Sequence, residues 1–182
     1  MRRRILVMLT VLAMALAIVP VASAAAGGGS SQGHSFHASV DGWETGFIPG
    51  PFIPEGRCPG GTEWILLTAG GGEADGFGTF EYTSEHCSRV VTPTPVGAVG
   101  KLAAGIMVLM FDDGELVLAY EGSWKFDGDL TTGEGVAKVR QSYEVIGGTG
   151  VFEGAKGHGS MGGVDDFHHI LFDLNGSLKT VG

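Results

Sequence analysis

Apolar and polar residues alternate along most of this chain, and helical spacing is almost absent. Phe36, Ala38 and Val40 alternate in a first predicted strand. Residues 63–69 form a compact apolar second strand, and residues 76–84 alternate around Phe80 and Tyr82. Residues 106–111 and 115–124 flank a turn in which Asp113-Gly114 suits the positive φ angles of a tight hairpin. Residues 135–146 alternate most cleanly. They set Ala137, Val139, Gln141, Tyr143 and Val145 on one face, and Lys138, Arg140, Ser142 and Glu144 on the other. A glycine-rich strand follows at 157–164, and a last one at 167–178 carries Ile170, Phe172 and Leu174 on one face.

These are about eight strands joined mostly by short loops. The predicted fold is all-β: an eight-stranded antiparallel up-and-down barrel, calycin-like, with a β-sandwich as the competing arrangement. Closure removes exposed strand edges, and glycines inside strands suit the bulges and bends that closure requires. The long connection at 47–61 carries Pro49, Pro51, Pro54, Pro59 and Cys58, and is expected to pack over one end of the fold. Thr92-Pro93-Thr94-Pro95 reads as a loop.

The N-terminus is different in kind. Arg2, Arg3 and Arg4 precede an uncharged, mostly apolar run at 5–19, Pro20 ends it, and Ala22-Ser23-Ala24 offers small residues for cleavage. That order is the pattern of a secretory signal peptide, and the run is shorter than the roughly 20 residues of a spanning helix. The expected organisation is a signal peptide at 1–24, a flexible linker at 25–33 and a single β-barrel domain at 34–182, exported and with no membrane span after cleavage.

Charge and cysteines fit export. The chain has 11 basic and 20 acidic residues; removing the three leader arginines leaves 8 against 20, a balance of −12. So acidic a surface argues against nucleic acid or an anionic membrane as partner. Cys58 and Cys87 are an even pair, expected to form one disulfide in an oxidising compartment.

The stretch YEVIGGTGVFEGAKGHG, residues 143–159, raises the question of a phosphate loop. A Walker loop needs Gly-Lys followed by Ser or Thr; here Gly154 is followed by Ala155-Lys156-Gly157. A dinucleotide turn needs a third glycine where Glu153 stands, and a long helix that this sequence lacks. The expected structure is a sharp reversal after Ile146, then one helical turn that plugs the barrel end with Phe152.

The same stretch resembles the Y-x-V-x-GGTG-x-F-x-GA-x-G signature of dirigent proteins, allene oxide cyclases and related bacterial secreted barrels. GFGTFEYTSEHC (76–87) and DDGELVLAYEGSW (112–124) are similar to further strands of the bacterial branch. The resemblance covers about 76–178. It implies a barrel of the allene oxide cyclase type and a homo-oligomer, a trimer in that family. No functional residue of those families is carried over, and the Pro-rich loop and single disulfide depart from the plant patterns.

Candidate chemistry is sparse. Tyr82, Tyr120, Gln141 and Tyr143 fall on faces with apolar neighbours, as the polar tips of an apolar ligand cavity would; the alternative is a solid core. Asp165, Asp166, His158, His168 and His169 include too few converging ligands for a metal, with Asp166 and His168 expected on one strand face and His169 on the other. His86 has no nucleophile beside it to make a triad. No cofactor is expected. The expected function is binding of a small hydrophobic ligand in or at the mouth of the barrel. The alternatives are a cofactor-free isomerase or cyclase on a hydrophobic substrate, or a structural or cell-envelope interaction protein with a packed interior.

Overall fold

The computed structural model describes residues 33–180 apart from 95, 130, 131 and 133. The expected signal peptide and residues 25–32 of the expected linker lie outside the described residues. The strands are β1 His34–Pro49, β2 Trp64–Ala74, β3 Gly78–Thr94, β4 Gly97–Phe111, β5 Gly114–Asp129, β6 Glu134–Gly148, β7 Lys156–Asp165 and β8 Ile170–Lys179. Each pairs antiparallel with the next, and β8 pairs back onto β1, closing an up-and-down barrel. The β2–β3, β4–β5 and β6–β7 connections therefore share one end, and the other four connections share the opposite end.

The first end is sealed. Phe152 is fully buried after a 3-10 turn, Gly150–Phe152, and its ring lies 5.2 Å from Phe77 and 4.9 Å from Phe111. Above this plug, Phe36, Val40, Phe80, Leu109, Leu118 and Leu174 fill the barrel together with Tyr82 and Tyr143. The glycine-rich stretch is thus a clasp. Gly150 (φ 59°) and Gly154 (φ 69°) adopt backbone that L-residues disfavour. Thr149 N donates to Glu115 O, Glu115 N donates to Thr149 Oγ1, and Val151 N donates to Asp113 O, tying the turn to the β4–β5 hairpin.

Glycine inside the strands has a second role, which is space. Inward rings lie opposite glycines on neighbouring strands: Gly70 faces Tyr82, Gly72 faces Phe80, Gly100 faces Trp124, Gly105 faces Tyr120, Gly159 faces Tyr143 and Gly163 faces Phe172. A Cβ built on any of these glycines would come within 3.0 Å of another heavy atom, ring or backbone. An eight-stranded barrel is narrow, so a large ring fits only where the wall beside it carries no side chain.

Several expectations are corrected. Thr92-Pro93-Thr94 is strand, with Pro93 opposite Ala98. Proline is tolerated there because the β2–β3 ladder ends at Trp64 opposite Ser88, so beyond that point the missing N–H faces no β2 residue. The first strand continues to Pro49, β3 continues past Ser84, and β4 begins at Gly97. Bulges between Glu85 and Cys87, Val90 and Thr92, and Leu102 and Gly105 break the pairing that simple alternation assumes. The last strand starts at Ile170, because Phe167 (φ 67°) sits in a turn. Asp166 and His168 therefore do not share a strand face; Asp166 Oδ1 accepts the backbone N–H groups of His168 and His169.

The Pro-rich connection does not cover an end. It folds against the outer wall of β3 and β4. Cys58 bonds Cys87, and Arg57 pairs with Glu85 and donates through Nη1 to Ala104 O at 3.2 Å. Ala104 (φ 49°) occupies the β4 bulge, and that hydrogen bond helps hold it there.

Candidate functional site: a cavity in the open half

The second end has no aromatic plug, and the barrel there encloses a cavity of about 340 Å³. The strands place its lining by parity. On β3 the even positions Ser84, His86, Ser88 and Val90 face inward; on β5, Tyr120, Trp124 and Phe126 do so; on β6, Ala137, Val139 and Gln141. Met107 and Met161 complete the deep apolar wall. Residues 50–63 contribute nothing to the lining, so the mouth is left to the strand ends and the β7–β8 turn.

One wall is polar. Thr68 Oγ1 and Ser84 Oγ lie 2.7 Å apart, Tyr120 O–H donates to Ser84 Oγ at 3.2 Å, and His86 Nδ1 lies 2.8 Å from the Tyr120 hydroxyl. Ser88 Oγ accepts from Trp124 Nε1 at 3.0 Å. With the phenol donating to Ser84, His86 Nδ1–H donates to the phenol, and Nε2 keeps its lone pair. His86 is only 8% exposed, and Nε2 has no partner among the described residues. Burial lowers the His86 pKa to about 4, so the imidazole is neutral near pH 7. Burial likewise raises the Tyr120 pKa, and the phenol stays protonated.

The mouth carries two carboxylates. Asp165, at the end of β7, is 9% exposed, and one of its oxygens accepts Phe167 N–H at 2.7 Å. Glu44, inward on β1, is half-buried. Burial, then repulsion from Asp165, raises the Glu44 pKa to about 7; burial also raises that of Asp165, against the Phe167 N–H. Around them stand Phe47, Trp64, Trp124, Phe126 and Phe167, with Trp64 and Trp124 6.4 Å apart and Phe126 and Phe167 5.0 Å apart.

Of the four residues expected at a ligand site, Tyr120 and Gln141 line this cavity. Tyr82 and Tyr143 lie in the packed half and are absent from its lining. Their hydroxyls are buried without hydrogen-bond partners among the described residues. Burial raises both phenols, Tyr143 to about 12. The remaining candidates are dispersed: His169 Nε2 contacts Asp41 Oδ1 at 2.6 Å on the exterior, and His158 faces out of β7. The interior is therefore not solid throughout. Thr68 and Glu44 carry no motif in the sequence, which presents Asp165 only as a candidate metal ligand; Ser84 and His86 fall in the 76–87 stretch and, with Ser88, continue the inward parity of Phe80 and Tyr82.

No protein-family model, curated protein or solved structure matches this chain.

Proposed function

We propose that this protein binds a small, largely apolar molecule in the open half of its barrel. The observation that carries this reading is the 340 Å³ cavity itself, apolar on most sides and interrupted by one hydrogen-bonded polar wall. Ligand pockets of this volume are commonly built in this manner, with few polar groups fixing orientation. The resemblance of residues 143–159 to the dirigent and allene oxide cyclase signature supports the same reading. So does the expectation of export. The disulfide suits an oxidising compartment, and no helix among the described residues is long and apolar enough to cross a membrane.

A titration with N-phenyl-1-naphthylamine, a neutral apolar fluorophore, tests it. Wild-type protein is expected to bind one equivalent with roughly micromolar affinity, about −8 kcal/mol. Val139→Trp, which pushes an indole into the cavity, is expected to weaken binding at least about tenfold while circular dichroism stays unchanged. No saturable binding to the wild type, or equal binding to the variant, contradicts the reading.

His86 favours a second reading. Its neutral imidazole holds an unprotonated Nε2 on the cavity wall, where a cofactor-free isomerase would place a hydrogen-bond acceptor or proton acceptor. The burial that lowers its pKa to about 4 also weakens it as a base. The same cavity would then orient a hydrophobic substrate, as the cyclase alternative requires.

A further inference from the structure

The cavity has a charge character that its apolar volume does not require. Its lining includes Glu44 and Asp165 but no lysine or arginine, and its histidine is neutral near pH 7. Neither carboxylate has an ion-pair partner among the described residues. Their placement follows from the register. Gly42 on β1, Ile170 on β8 and Asp165 on β7 form one row, and Glu44 lies one inward position further toward the mouth, past the start of β8. Two strand spacings, roughly 10 Å, separate the two backbones there, and both side chains line the cavity beside the start of β8.

Such a mouth is costly for an anion and favourable for a cation. Two partly desolvated carboxylates repel each other and each prefers to be protonated; a positive charge between them relieves the repulsion and offsets part of the desolvation. The aromatic collar adds to this, because ring faces attract alkylammonium groups, Trp most strongly. The deep wall also suits such a ligand, since the free His86 Nε2 is an acceptor and sets no demand for a second charge.

We propose that the molecule held in the cavity is a cationic amphiphile, with an apolar body seated between Met107, Val139 and Met161 and an ammonium-type head at the mouth between Glu44 and Asp165. The proposal rests on the binding reading above and specifies its ligand class. It also implies that fatty carboxylates, which match the cavity in apolar volume, are rejected by the mouth.

Three compounds with one apolar body separate the possibilities: (1-naphthylmethyl)trimethylammonium, 1-naphthalenemethanol and 1-naphthylacetate, each measured by calorimetry and by displacement of N-phenyl-1-naphthylamine. The ammonium compound is expected to bind about tenfold tighter than the alcohol, and the carboxylate weakest. In the Glu44→Gln/Asp165→Asn protein, which keeps the shapes and the acceptor for Phe167 N–H, the ammonium advantage over the alcohol is expected to fall to the roughly two- to threefold that the aromatic collar alone supplies, while the alcohol binds as before. Equal binding of all three by the wild type, or an ammonium preference that is undiminished in the double variant, overturns the placement of a cationic head between Glu44 and Asp165 and leaves the apolar cavity standing. Failure of all three together with failure of the fluorophore overturns both.

Discussion

Gly70→Ala is expected to destabilise the barrel by at least about 3 kcal/mol, seen as a large fall in the urea midpoint. A Cβ at this position would lie 2.2 Å from the carbonyl oxygen of Asp41, 2.5 Å from Gly42 Cα and 2.9 Å from Tyr82 Cε1. Two of the three obstacles are backbone of the paired strand β1, so no rotamer change relieves them. The ring of Tyr82 is itself buried against Phe172, 6.0 Å away, and has no room to retreat. Alanine normally gains up to about 1 kcal/mol over glycine through the unfolded chain, and here the collision outweighs that gain. Gly147→Ala is the control: its Cβ would meet nothing within 4 Å, and a change within about 1 kcal/mol is expected. Equal effects at the two positions would show that the missing Cβ at Gly70 is not what lets β1, β2 and the Tyr82 ring approach so closely.

The second large effect is expected from the disulfide. Cys58 and Cys87 close a loop with a sequence separation of 29, and Cys87 is buried. In the chain-entropy description, opening a loop of that size costs about 3–4 kcal/mol, which for a domain of this size lowers Tm by roughly 10 °C. The double variant Cys58→Ser/Cys87→Ser avoids a stray thiol. Because the Pro-rich connection at 50–63 that carries Cys58 lies outside the barrel and lines none of the cavity, binding of N-phenyl-1-naphthylamine at low temperature is expected to persist in the double variant. Loss of binding in a folded double variant would mean that the loop shapes the mouth after all.

Much of the architecture is legible in the residues, and the reasons for the rest are specific. β5 and β6 alternate without interruption over the stretches that carry Tyr120 and Gln141, and both side chains face inward as alternation requires. The plug by Phe152 also follows from its glycine-flanked turn. By contrast, β3 and β4 are long strands cut by bulges, and the sequence reading stopped at Ser84, two residues before His86. Whether an inward tyrosine lines a cavity or fills a core depends on how far along the barrel it lies. That position is set by register across strands distant in sequence, which no local pattern reports. Tyr82 and Tyr143 lie on the plugged side of that boundary, while Tyr120 reaches the cavity. Glu44 and Asp165 come to line one cavity only because β1 and β7 flank the short start of β8, a juxtaposition made by closure. The conflict between the acidic pair and its burial, invisible in composition, is what gives the mouth its expected preference.

Selective 13C labelling of methionine methyls offers the most direct test of occupancy in the open half. Met107 and Met161 line the cavity, whereas Met110, on the same strand as Met107, does not. On titration with N-phenyl-1-naphthylamine, ring currents from the bound dye are expected to shift the Met107 and Met161 signals together, saturating at one equivalent, with Met110 unmoved. A spectrum in which neither cavity methyl responds, or in which Met110 alone moves, would contradict binding inside the barrel.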